Sequence, residues 1–148
     1  MSKGSREIEM VDISSKKVSL RKAIAYGEIL LKKETIKAIK EGKVKKGDVL
    51  STAKIASALA VKSTPNMIPL CHQIPISNTK LEFEIKKDKI CAKCEVKAEY
   101  KTGVEIESLV GLAIGLITIW DMVKYLEKEK DSYPKTAIQN IKVLEKKK

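Results

Sequence analysis

The only histidine of the chain stands beside a cysteine in Ile68-Pro69-Leu70-Cys71-His72-Gln73, with Pro69 and Pro75 on either side. Two prolines stiffen a loop, and an imidazole presented there can carry protons near neutrality or line a pocket. In an ordinary turn it would do no more than hydrogen-bond. Thr102-Gly103-Val104-Glu105-Ile106-Glu107 places two carboxylates at a strand-to-helix junction. They could serve acid–base chemistry, or they could offset the helix dipole. Asp121-Met122-Val123-Lys124 interrupts an apolar stripe just after Trp120. Fourteen positions separate Glu107 from Asp121. On one helix they share a face to within about 40° but lie about 21 Å apart along the axis. One small ligand cannot touch both, so either one of them acts alone or a neighbouring subunit supplies the other. Lys45-Lys46-Gly47-Asp48 and Lys62 bring cations to the two ends of another helix, and spacing alone singles out none of them. Cys91-Ala92-Lys93-Cys94 has zinc-knuckle spacing, and Cys71 with His72 would complete a ligand set. Strand positions three apart face opposite ways, however, so the cysteines read as structural and no metal is assigned.

The elements that must carry these residues follow from hydrophobic period. Ala23, Ala25, Gly27, Ile29 and Leu31 alternate, which predicts a strand over 21–31, with helical spacing as the competing reading. A short helix over 34–41 closes at Gly42, and Asp48 caps a helix over 49–62. Pro69 and Pro75 hold the next stretch as an extended loop. Leu81, Phe83 and Ile85 alternate with charges, Lys87-Asp88 turns the chain, and 90–99 forms a second strand of that hairpin. Ile106, Leu109, Val110, Ala113, Ile114, Ile117 and Trp120 recur at helical intervals, predicting a long helix over 104–130. Ile138, Ile141 and Val143 suit a last strand. The order β-α-β-β-α-β is the split βαβ, ferredoxin-like pattern. It is an α+β sandwich, an antiparallel sheet with helices packed on one face. If the other face is apolar it needs covering, which makes oligomerisation the expectation. Residues 1–9 read as a flexible lead and 10–148 as one domain.

Composition narrows the classes. The chain has 148 residues, 43% hydrophobic and 33% charged, a globular balance of one-domain size. With only 4% aromatic residues the core must be aliphatic. No run of about 18 apolar residues occurs; the longest, over 109–120, is broken by glycines, stopped by Asp121, and reads as a core helix. The first seven residues have no apolar segment behind them, so no signal peptide is expected. Three cysteines make an odd count, which favours a reduced, cytoplasmic protein. There are 30 Lys+Arg against 19 Asp+Glu, a formal charge of +11. That basicity invites a nucleic-acid reading, but the lysines are spread among acids, and neither an aromatic stacking platform nor a nucleic-acid motif accompanies them. A basic protein can instead serve a polyanionic small molecule such as a nucleotide triphosphate.

Five segments occur together in order: Met10-Val11-Asp12-Ile13-Ser14, Lys46-Gly47-Asp48-Val49-Leu50-Ser51-Thr52-Ala53-Lys54-Ile55-Ala56, Ile68-Pro69-Leu70-Cys71-His72, Thr102-Gly103-Val104-Glu105-Ile106-Glu107 and Leu116-Ile117-Thr118-Ile119-Trp120-Asp121-Met122-Val123-Lys124. Over about 10–143 the chain resembles the MoaC family of molybdenum cofactor biosynthesis, the cyclic pyranopterin monophosphate synthases. The resemblance implies a lyase that acts after a radical SAM enzyme has cyclised GTP. It would rearrange (8S)-3′,8-cyclo-7,8-dihydroguanosine 5′-triphosphate to cyclic pyranopterin monophosphate and release pyrophosphate. By matching position it implies Lys46 and Lys124 as acid–base lysines, with Asp121 beside Lys124. Leu70, Cys71, His72, Ile106 and Glu107 would line the substrate pocket, with Glu105 nearby. Lys62 and Arg21 would suit the triphosphate. The resemblance also implies a homohexamer, a trimer of dimers with sites at subunit interfaces, which would answer the 21 Å separation. Clustered lysines would push one another toward the neutral form. No cofactor is required by the sequence, although Mg²⁺ can accompany triphosphate or pyrophosphate, and no membrane partner is implied. Gln73 stands where the family has proline and Ile106 where it has methionine. The family's glycine-rich tail is replaced by Leu144-Glu145-Lys146-Lys147-Lys148, whose lysines would substitute for it electrostatically. The alternatives are a basic nucleic-acid-binding module and a catalytically decayed family member.

Overall fold

A computed structural model describes residues 6–148, so residues 1–5 of the 1–9 lead lie outside the described residues. Four strands and four helices follow in the order β1 (Ser19–Leu30), α1 (Lys33–Lys40), α2 (Val49–Lys62), α3 (Thr64–Met67), β2 (Ile76–Ile85), β3 (Lys89–Tyr100), α4 (Glu105–Glu127) and β4 (Ala137–Lys147). The sheet order is β2-β3-β1-β4 with every neighbouring pair antiparallel, the ferredoxin-like arrangement expected from the element order. Strand β1 runs beside β3 without a break, from Ser19 opposite Tyr100 to Leu30 opposite Lys89.

The alternation in β1 is a burial pattern. Ala23, Ala25 and Ile29 are fully buried beneath the helices and meet Val96, Cys94 and Ile90 across the strand pair. Helix α4 lies across this face and buries Leu112, Leu116, Ile119 and Val123 completely. It is 23 residues long and apolar enough in length and composition to cross a membrane, yet its apolar stripe is spent on the sheet and on α2. Gly111 makes the close approach to α2 feasible. A Cβ there would sit 2.5 Å from Val61 Cγ2 and 2.8 Å from Cys94 Sγ. Helix α2 begins where Asp48 predicts, with the Asp48 carboxylate accepting from the Ser51 N–H at 2.8 Å.

Several boundaries differ from the sequence reading. Strand β2 starts at Ile76 rather than near Leu81, because pairing with β3 recruits the polar stretch Ser77-Asn78-Thr79. A short helix, α3, occupies part of the stretch read as loop, with Pro65 in its first turn. Helix α4 stops at Glu127, three residues early. Lys128 turns extended, Lys130 adopts φ 55°, and Glu129 bridges Ser132. Glu127 itself is fully buried and ties three segments together. It accepts from the Lys32 N–H (3.1 Å), from Thr136 Oγ1 (2.7 Å) and from Thr35 Oγ1.

The sheet face away from the helices is charged rather than apolar. Lys22 pairs with Glu95 (3.5 Å) and Lys97 with the same carboxylate (3.7 Å). Large apolar side chains left in solvent occur on the helices, at Ile55 (65% exposed), Leu59 (61%) and Ile117 (52%), and also on the strands, at Leu20 (70%) and Leu144 (46%).

Candidate functional site

The loop after α3 and the first turn of α4 enclose a cavity of about 430 Å³. Leu70, Cys71 and His72 line it from one side, Glu105, Ile106 and Glu107 from the other. The segment preceding β1 closes it with Val11, Ile13 and Lys16; Val11 and Ile13 belong to the first of the five segments, but none of the three was named as a site residue. His72 fastens that segment, its Nε2 lying 2.7 Å from the Val11 carbonyl oxygen. A carbonyl only accepts, so Nε2 carries the proton. Lys101 adds a second tie by donating to the Ser14 carbonyl at 3.3 Å.

Glu107 is only 2% exposed, and Cys71 Sγ donates to its Oε2 at 3.4 Å while Oε1 has no partner. Burial pushes the Glu107 carboxyl above its ordinary value, against smaller hydrogen-bond effects. Burial likewise pushes the Cys71 thiol up to about 11, with the Glu107 charge adding to it. Cys71 is therefore a thiol near neutral pH, not a thiolate nucleophile. Glu105 folds its carboxylate back over Gly103, into the space a Cβ would take. One oxygen is buried without a partner; the other meets Lys146 Nζ at 3.4 Å, so a lysine near the end of β4 reaches one of the two carboxylates of this cavity.

The second cluster lies near the other end of α4. Lys46, in the loop between α1 and α2, reaches Asp121 across 75 positions of sequence, with Nζ 3.1 Å from Oδ2 and 3.1 Å from the Asp121 carbonyl oxygen. Lys124 Nζ lies 3.2 Å from Oδ1 of the same carboxylate. Hydrogen bonds from Lys46, then from Lys124, hold the Asp121 carboxyl below its ordinary value. The two ammonium groups thus have an anion set between them, which offsets the mutual repulsion expected from their clustering. Neither Lys46, Asp121 nor Lys124 lines the 430 Å³ cavity. The chain holds two separate groups, an acidic pocket and a lysine–aspartate cluster, spaced along α4.

Two basic residues named from sequence lie outside both groups. Arg21 is only 6% exposed, and its Nε and Nη2 donate to the carbonyls of Tyr100 (3.3 Å) and Lys101 (3.2 Å). Its guanidinium anchors the loop that leads into the acidic first turn of α4. Lys62 is the exposed last residue of α2 and does not line the cavity. The two cysteines of the zinc-knuckle spacing face opposite sides of the sheet. Cys91 Sγ is 3.9 Å from Glu28 Oε2, whereas Cys94 Sγ is 3.7 Å from Ser57 Oγ, so one ion cannot hold both. Among the described residues no group of three or more His, Cys, Asp or Glu is placed to bind a metal.

The fold alone hosts many activities, so the acidic pocket and the lysine–aspartate cluster are what distinguish this α+β domain. The MoaC family matches residues 10–148. A Pyrococcus horikoshii protein named probable cyclic pyranopterin monophosphate synthase is 56% identical over 94% of this chain and 88% of its own length. One of the same name from Methanosarcina acetivorans is 54% identical over 93% and 87%. A Methanothermobacter thermautotrophicus relative, 49% identical over 95% and 89%, is named probable cyclic pyranopterin monophosphate synthase accessory protein. The chain belongs to the MoaC family.

Proposed function

We propose that this protein is a cyclic pyranopterin monophosphate synthase of molybdenum cofactor biosynthesis. Its substrate is (8S)-3′,8-cyclo-7,8-dihydroguanosine 5′-triphosphate, its products cyclic pyranopterin monophosphate and pyrophosphate. The observation that carries this reading is the junction of Lys46, Asp121 and Lys124, with contacts of 3.1–3.2 Å, in a chain of this family. Opening one ring and closing another moves protons on and off nitrogen and oxygen, which is work for positioned lysines. Asp121 orients both ammonium groups and can relay a proton between them. The acidic pocket takes the base-derived end of the substrate, and the lysines serve the reacting end. Lys62, and Arg21 through the loop it holds, belong to the phosphate side.

A complete site needs both halves, so we place it between subunits, the cavity of one facing the lysines of its neighbour. The exposed Ile55, Leu59 and Ile117 favour assembly through the helices. The assembly in this reading is a homohexamer, a trimer of dimers, working in the cytoplasm downstream of a radical SAM GTP cyclase. Mg²⁺ would accompany the triphosphate and the departing pyrophosphate rather than reside in the protein.

The test is anaerobic incubation of the purified protein with the cyclised triphosphate, following pterin and pyrophosphate together. The expected result is stoichiometric formation of both, with Lys46→Ala folding normally and losing at least about 100-fold in rate, the scale of a lost acid–base group. A folded oligomer that forms neither product would instead favour a catalytically decayed family member, or an accessory role such as the name of the Methanothermobacter relative carries.

A further inference from the structure

We infer that Tyr125 is the positioning residue for Lys46. This rests on the reading of Lys46 as an acid–base group, and it assigns a task to a side chain in neither group. Lys46 lies in an exposed loop that turns at Gly42 and Gly47, both at positive φ. An ammonium on a four-carbon stem is costly to order, and an unanchored loop beneath it would raise that cost. Helix α4 supplies the anchor. The backbone N–H of Lys45, the residue just before Lys46, donates to Tyr125 Oη at 2.9 Å. The Lys45 ammonium also lies 5.3 Å from the centroid of the Tyr125 ring, within cation–π range.

Tyr125 stands one helical turn beyond Asp121, so both present from the same side of α4. The helix therefore grips consecutive loop residues at two points. Tyr125 holds the backbone and side chain of Lys45, and Asp121 receives the Lys46 ammonium. The hydroxyl sets where the stem of Lys46 begins; the carboxylate sets where it ends. The ring is 39% exposed, so its burial supplies little of the core.

Tyr125→Phe isolates the effect, because it deletes the acceptor and keeps the ring. The expected result is a fall in kcat of about threefold to tenfold, the worth of one hydrogen bond, with KM unchanged and the melting temperature lowered by no more than a few degrees. A second readout does not depend on turnover. Brief labelling with acetic anhydride, read by peptide mass spectrometry, should modify Lys46 faster in Tyr125→Phe than in the parent protein, with Lys54 as an unchanged reference. Equal Lys46 labelling in the two proteins would overturn the inference. So would a kcat equal to that of the parent protein. Full activity in Lys46→Ala would defeat the acid–base reading instead, and the labelling would still decide whether Tyr125 positions Lys46.

Discussion

At Glu28 a carboxylate only 3% exposed meets five donors: Gln139 Nε2 (2.6 Å), Tyr26 Oη (2.7 Å), Asn140 Nδ2 (3.0 Å), Lys89 Nζ (3.4 Å) and Cys91 Sγ (3.9 Å). The Tyr26 hydroxyl, then Gln139, outweigh burial and bring its pKa from 4.5 to about 2. A carboxyl lowered on folding stabilises the protein above its unfolded value, and that stability drains away as pH falls toward the folded one. Between pH 5.5 and pH 3 the loss from this one residue should be about 2 kcal/mol. Urea unfolding of Glu28→Gln across that interval should show a correspondingly shallower acid loss than the parent, from a lower starting stability. Parallel curves for the two proteins would mean that Glu28 is not held in this way. Glu107 runs in the opposite direction: its carboxyl is raised, so its charge opposes the fold as pH climbs through the folded value. A stability cost at a cavity wall fits a group kept for binding or chemistry. Neither environment was visible in the sequence. Glu28 looks like one more acid in a basic chain, and its partners come from three strands.

Elements were legible where local chemistry decides them. Asp48 and Gly47 marked the start of α2, and Ala23, Ala25 and Ile29 marked the buried face of β1. Legibility failed where tertiary contacts decide. The run from Lys124 to Lys130 is helical by propensity, but buried Glu127 ends α4 by binding the starts of α1 and β4. The glycines of α4 read as interruptions from sequence, whereas Gly111 is what lets α4 settle against α2 and the sheet. Gly111→Ala tests that packing. An alanine would gain up to about 1 kcal/mol in helix propensity but would press on Val61 and Cys94, an overpacking that costs about 1–3 kcal/mol. The expected outcome is a melting temperature lower by several degrees. An unchanged or higher value would show that the helix can shift to accommodate the methyl group.

For the whole molecule the decisive feature is that the acidic pocket and the lysine–aspartate cluster stand apart. Sequence arithmetic put Glu107 and Asp121 about 21 Å apart on one helix, and the structure keeps them in separate clusters. Spacing could not have joined Lys46 to Asp121, since 75 positions intervene; only the resemblance named them together. If the pocket of one subunit works with the lysines of its neighbour, each half can be disabled in a different subunit. The direct measurement mixes Lys46→Ala and Glu107→Gln proteins, each inactive alone, then unfolds and refolds them together and assays pterin formation. Random assembly of equal amounts would give sites with two intact halves in about a quarter of cases. The account predicts recovery to about that fraction of parent activity. A co-assembled mixture as inactive as either variant alone would contradict a site shared between subunits.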